Sequence, residues 1–197
     1  MNRYSKAFLT SLIIATAYVP ASHAKPAATT TNTKAAEQQD AQAVEKKIWQ
    51  DLSKTTWIAD GSKQAKQIVY VFSDPNCPYC HQFWQKVRPW VDNNQIQVRH
   101  IMVGILREDS AGKAAALLSA KDPTSAFKAF NSAVDYRTAI KPLVNVPADI
   151  QSQLNKNLQL MASYGIYSTP AIIWQDKKGR LQAMSGLPKD INSIFDQ

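Results

Sequence analysis

The chain has 197 residues, 45% hydrophobic and 19% charged, which is enough for one domain with its own core. Its formal charge is +8, yet lysines and arginines alternate with acids throughout, with no run of five or six like charges and no basic-aromatic interleaving. That pattern speaks against a nucleic-acid partner and reads as a solvated basic surface.

Residues 1–24 read as an export signal. Arg3 and Lys6 make a charged start, Ala7 to Val19 is a short apolar run, and Ser22-His23-Ala24 offers small residues for cleavage after Ala24. The competing assignment, a membrane anchor, needs ~20 apolar residues. No stretch is that long and uncharged, so no stable membrane insertion is expected. Residues 25–40 are rich in Ala, Thr, Gln and Asn and poor in large apolar side chains, and are expected to form a flexible tether. Over 41–56 a linker-type helix is predicted, because Ala41, Val44, Ile48 and Leu52 recur every three or four residues. A free arm, a docked cap and an oligomerisation device are all open to it, and so is the oligomeric state.

Residues 57–197 read as the main domain. Thr56-Trp57-Ile58-Ala59 before Asp60-Gly61 is a short first strand. The stretch from Gln67 to Trp90 then runs strand, breaker, helix: Ile68 to Phe72 is apolar, Ser73-Asp74-Pro75-Asn76 interrupts it, and Cys77 opens a helical pattern. Phe83, Trp84, Val87 and Val91 form that helix's core stripe, which Pro89 should kink or shorten. Ile96 to Ile105 is a second long strand, so the unit is a parallel βαβ with right-handed crossover. A helical insertion follows at about 107–164. It contains Ser110 to Ala120, a helix opened by Asp122-Pro123, and one from Val146-Pro147 with Ile150, Leu154, Leu158 and Met161 on one stripe, stopped by Gly165. Pro170 to Gln175 is a strand, Asp176-Lys177-Lys178-Gly179 a hairpin turn, Leu181 to Ser185 the antiparallel partner, and Pro188 to Phe195 a closing helix. The fold class is therefore α/β, βαβ then ββα with a helical insertion between the halves.

The chemistry has one address, because Cys77 and Cys80 are the only cysteines. A single pair closing so short a loop is a poor staple, which favours a redox dithiol over a structural disulfide. At a helix tip, unpaired N–H groups and the dipole favour a Cys77 thiolate. Cys80, one turn deeper, is placed to attack a mixed disulfide on Cys77. Pro78 lacks an N–H at no loss to a helix start, and Tyr79 is expected at the surface beside the site. Zinc would need Cys77, Cys80, His81 and His100 together, although adjacent Cys80 and His81 bind awkwardly. The run from Cys77 to His81 also fits C-x-x-C-H, so a c-type haem carrier with His81 as axial ligand stands as an alternative. The dithiol reading calls for no cofactor and no metal.

Thr169-Pro170 before an apolar strand resembles the cis-proline loop of thioredoxin-fold proteins. Together with VYVFSDPNCPYCHQFWQKVRPWVD, VGIL, the Ser119-Ala-Lys-Asp-Pro run, TPAI and the Ser-Gly-Leu-Pro near the end, it resembles the catalytic domain of the DsbG/DsbC family of periplasmic thiol-disulfide isomerases, on the DsbG side. The similarity runs from about Val44 to the C-terminus. The resemblance implies a thioredoxin fold, periplasmic location, Cys77 as nucleophile and Cys80 as resolving cysteine. It also implies Thr169 and Pro170, flanked by Pro78 and Tyr79, as the place where an extended substrate strand pairs. Implied partners are unfolded or misoxidised exported proteins and a membrane electron donor of the DsbD type. Implied activities are reduction or isomerisation of disulfides and reduction of cysteine sulfenic acids.

Two departures from the family qualify this. The residues from Lys25 to about Thr56 are too few for its N-terminal dimerisation domain, which leaves a DsbA-like dithiol oxidase as an alternative. Val71 stands where thioredoxin carries a buried acid, and Asp74 reads as a turn residue, so no dedicated proton relay is expected. A non-enzymatic chaperone using the surface around Pro170 is the alternative from another class.

Overall fold

The architecture grows from its most apolar segment. Residues 67–73 are rich in β-branched and aromatic side chains, which favour a pleated, buried strand, and they form β2 (Gln67–Ser73), with Val69 to Ser73 buried. β2 lies at the centre of a five-stranded sheet whose other strands are β1 (Trp57–Asp60), β3 (Ile96–Met102), β4 (Ala171–Gln175) and β5 (Leu181–Ser185). The order is β1-β3-β2-β4-β5; only β2 and β3 run parallel, and their register pairs Val71 with His100 and Ser73 with Met102.

The computed structural model describes residues 30–195, so the signal segment, its cleavage site and the start of the tether lie outside the described residues. The chain divides into two units, residues 1–38 and 39–197, and the second carries the sheet.

Between β2 and β3 the chain forms α2 (Pro78–Lys86) and α3 (Arg88–Asp92). They part at Val87, two residues before Pro89, where the expected interruption falls. After β3 come α4 (Ser110–Leu118), α5 (Pro123–Ser132), with Asp122 as its side-chain cap, and α6 (Ala148–Ser163). Gly165, at φ +67°, ends α6 in a conformation that favours glycine.

Alternation along the strands splits the core. On one face Val69, Val71, Val98 and Ile172 pack under Phe83 and Val87 of α2 and its cap, while Ile58 and Met102 meet Leu117, Phe127 and Phe130 of α4 and α5. On the other, Tyr70, Phe72, Ile101 and Ile173 meet Leu52 and Met161.

Four expectations need correction. The N-terminal helix, α1, runs Thr30–Ser53 and so takes up most of the expected 25–40 tether. Ala, Gln, Glu and Lys are good helix formers, and a solvated helix there needs no burial. Its C-terminal part docks on the sheet, with Leu52 fully buried and Ile48 and Trp49 packed beside it. β3 stops at Met102 rather than Ile105, because the Asp74 carboxylate accepts the N–H groups of Ile105 and Leu106 at 2.7 and 3.1 Å. The inward stripe of α6 is Ile150, Leu154, Asn157 and Met161. Leu158 is exposed, while the buried Asn157 amide donates to Thr56 O and Met102 O, both at 3.0 Å. Finally, the closing helix is only a short 3₁₀ turn, Ile191–Ile194, capped by Asp190.

Candidate active site

Cys77 is the N-cap of α2, with φ −78° and ψ 112°, and Pro78 takes the first helical position. Proline there forfeits no helical bond, since that N–H has no partner in the helix. The Cys77 sulfur does what an N-cap oxygen would, accepting the N–H of Cys80 at 3.2 Å. Across the site Thr169 and Pro170, joined by a cis peptide bond, precede β4, and the Cys77 thiol donates to Thr169 O at 3.3 Å. Residues 92 apart in sequence thus meet because β2 and β4 are neighbours in the sheet. Tyr79 lies half exposed beside them.

The two sulfurs differ in kind. Cys77 is held at a pKa of about 6: the Cys80 thiol is the chief cause, burial opposes it, and the Thr169 side chain and the N–H groups of Cys80 and Tyr79 help. Cys80 is pushed well above the ordinary thiol value, chiefly by burial and then by its neighbour Cys77. One sulfur ionises near neutrality; the other keeps its proton. The buried Thr169 hydroxyl has no partner at hydrogen-bond geometry, and it stands close enough to both sulfurs to favour their ionised forms.

Beneath Cys77 lies a buried polar lattice. Asp74 accepts from Asn76 N at 2.8 Å and from the Ser110 hydroxyl at 2.9 Å, besides the two loop N–H groups. The Asn76 amide donates to Asp109 at 2.8 Å and Ser110 at 2.9 Å, and its oxygen accepts from Lys113 Nζ at 2.9 Å. Lys113 also donates to Arg137 O and reaches Asp109, both at 2.8 Å, and it holds the Asp109 carboxyl below the usual carboxylate range. Asp74 is therefore more than a turn residue: it ties the loop after β3 to the cysteine turn. A Cβ on Gly104 would stand 2.4 Å from Ala111 Cα, so that loop lies directly on α4.

Sequence reasoning missed Asn76, Asp109, Ser110 and Lys113. The one local signal was a lysine set in the Ala/Leu-rich run SAGKAAALL, on a helix face otherwise of small and apolar residues.

His81 stacks on Tyr136 with ring centroids 4.0 Å apart, its Nδ1 3.2 Å from Asn131 Oδ1 and its Nε2 3.0 Å from the Gln85 amide nitrogen. With both ring nitrogens engaged and Cys80 buried, these residues do not fit an attached haem. His100 lies inside the domain, 3.2 Å from the Ser73 hydroxyl. Among the described residues, no three His, Cys, Asp or Glu side chains are grouped to hold a metal.

Comparison with known proteins agrees with this fold. A family profile described as a thioredoxin-like domain matches residues 58–192. The chain is 49% identical over 144 residues to the thiol:disulfide interchange protein DsbG of Pseudomonas aeruginosa, covering 73% of this chain and 56% of that one. It is 40% identical over 156 residues to Escherichia coli DsbG, covering 76% and 61%. It thus spans little more than half the length of these relatives. Among solved structures, the catalytic domain of Proteus mirabilis ScsC superposes with a TM-score of 0.59 at 26% identity, covering 78% of this chain and 92% of that one. A periplasmic thioredoxin-like protein of Salmonella enterica gives 0.61 at 22% identity, covering 76% and 94%, which speaks to the fold alone.

Proposed function

Because the chain belongs to the thioredoxin-like family, we propose that it is a periplasmic thiol-disulfide oxidoreductase that reduces or isomerises substrate disulfides through Cys77 and Cys80. The observation that carries this is the asymmetry of the sulfurs. Cys77, ionised near neutral pH, attacks a substrate disulfide; a mixed disulfide forms and one substrate sulfur leaves as thiolate. Cys80 then attacks the Cys77 sulfur, a Cys77–Cys80 disulfide forms and the second substrate thiolate departs. Two substrate sulfurs have gained the electrons that the two cysteines have lost. If a third cysteine on the substrate resolves the mixed disulfide instead, the outcome is isomerisation and the dithiol is regenerated.

Thr169 and Pro170, with Pro78 and Tyr79, form the rim on which a substrate strand pairs. Substrates are unfolded or misoxidised exported proteins, and a membrane donor of the DsbD type returns the dithiol to its reduced state. Likeness to relatives that bear the name DsbG supports these assignments, while export with cleavage after Ala24 rests on the pattern of residues 1–24. We extend the reading to cysteine sulfenic acids: Cys77 displaces hydroxide from sulfur, leaving a mixed disulfide that Cys80 resolves.

Insulin reduction tests the mechanism. Cys77→Ser is expected to fall to the uncatalysed rate, and Cys80→Ala to accumulate a mixed disulfide; turnover by Cys77→Ser would overturn it. One observation favours a second reading, the dithiol oxidase. A low Cys77 pKa stabilises the reduced form and so makes the couple more oxidising. The reduction potential separates the two readings, since ~30 mV corresponds to ~1.4 kcal/mol for a two-electron couple.

A further inference from the structure

Resolution of the mixed disulfide requires Cys80 to lose its proton, and Cys80 is the sulfur least able to do so. It is buried, its thiol is held protonated, and in the mixed disulfide Cys77 is no longer a thiolate able to receive the proton. The resolving step therefore calls for a proton acceptor within reach of Cys80.

On the inner side of Cys80 is a narrow cavity of about 10 Å³, room for a single water at most, whose walls include Cys80, Ser73, Asp74, His81, Phe127 and Tyr136. Ser73 ends β2 on the inner face, and its hydroxyl meets His100 Nδ1 at 3.2 Å, both residues almost wholly buried. The other ring nitrogen of His100 makes no hydrogen bond and points at Asp60 Oδ2, 3.7 Å away. Arg88 pairs with both oxygens of Asp60. β1, β3 and β2 thus supply a carboxylate, an imidazole and a hydroxyl in a row that ends at the cavity beside Cys80. With a proton on Nε2 facing Asp60, Nδ1 is left to accept from Ser73.

We infer that Ser73 and His100 form a buried relay that takes the proton from the Cys80 thiol during resolution, with Asp60 as the positioning group behind them. This rests on the dithiol mechanism proposed above. The Cys80 S–H proton passes across the cavity to Ser73 Oγ as the Ser73 proton passes to His100 Nδ1. The Cys80 sulfur uses its freed electron pair to bond Cys77, and the Cys77–substrate bond breaks with its pair going to the departing sulfur. The imidazolium so formed faces the Asp60 carboxylate, and its proton returns to solvent before the next cycle.

The charged groups facing His100 are Asp60 on β1 and Arg88 on α3; α5 presents the Phe127 ring, 4.4 Å from the imidazole. Burial lowers the His100 pKa, so the ring rests neutral, while Asp60 pulls the other way and favours the imidazolium once a proton arrives.

A bis-nitrobenzoate disulfide reagent tests the relay, because it releases one coloured thiolate when Cys77 attacks and a second when Cys80 resolves. In the reduced full chain the first release reports the mechanism proposed above, and its absence would overturn that reading rather than the relay. In His100→Asn and in Ser73→Ala, the second release is expected to slow by about 10²-fold near pH 7, a usual contribution of acid–base catalysis. The first should keep its rate, and the deficit should close at alkaline pH, where Cys80 ionises unaided. An unchanged second release, or a deficit of equal size at every pH, overturns the relay. If His100→Asn does not fold, Ser73→Ala decides, since it removes the hydroxyl and leaves the packing in place.

Discussion

On one face of the sheet, Tyr70, Phe72, Ile101 and Ile173 pack against Leu52 and Met161; among the described residues Gln97 is the one buried polar side chain its strands carry, and the Asp51–Tyr164 hydrogen bond lies at the margin. On the other face the same strands turn Asp60, His100 and Ser73 inward among Ile58, Val71 and Met102, and the chain just beyond buries Asp74, Asn76 and Lys113 as well. Apolar packing has no directional demands and stabilises roughly in proportion to the area removed from water. A buried ionisable group costs several kcal/mol unless it is paired. Most of the polar atoms on the second face are paired, and that face carries α2 and the two sulfurs. One face supplies cohesion, while the other spends some of it on fixing charge near a thiolate.

Substitutions on the two faces should therefore fail differently. Leu52→Ala opens a cavity under α1, far from the cysteines, and should lower the unfolding free energy by about 2–5 kcal/mol in a urea titration, while the Cys77 alkylation profile stays put. A shift in that profile would break the division of labour. Lys113→Met strands the acceptors of Asn76 and Arg137 and should cost about 1–3 kcal/mol. Here the cysteine turn itself should loosen, read as faster amide exchange at 76–80.

A pH series sharpens the contrast. Cys77 has a folded pKa of about 6 against an ordinary 9.0, so between those values the unfolded chain binds the extra proton and the native one does not. Stability of the reduced protein should climb from pH 6 towards 9 and lose this contribution as pH falls through 6. Cys80, shifted upward, should reverse the trend above 9. In Cys77→Ser the climb should vanish; if it persists, its source lies on another group. The smallest effect is expected at Tyr79, half exposed at the rim: Tyr79→Ala should change stability by less than about 0.5 kcal/mol yet raise KM for a protein substrate. An unchanged KM would remove Tyr79 from the substrate surface.

Much of this was legible before any coordinates. The strand over 68–72, the breaker, the helix opening at Cys77 and the Asp122-Pro123 cap are local patterns, and the structure has them where the residues put them. Periodicity failed where a partner outside the window decided the matter. Leu158 has the spacing of a core residue, but a polar Asn157 faces inward because two carbonyls wait there. The expected tether is mostly helix, since composition judged its burial and said nothing of helix propensity in solvent.

The sequence by itself determined that two thiols sit one turn apart at a helix tip, because N-cap geometry and helix pitch need only neighbouring residues. Tertiary structure alone decided what surrounds them. Thr169 reaches Cys77 by strand adjacency across 92 residues, and Lys113 reaches Asn76 because α4 lies on the loop after β3. Asp60 and Ser73 flank His100 because β1 and β2 both pair with β3. The partners of buried polar atoms are set by which elements stack, and no window of sequence records that.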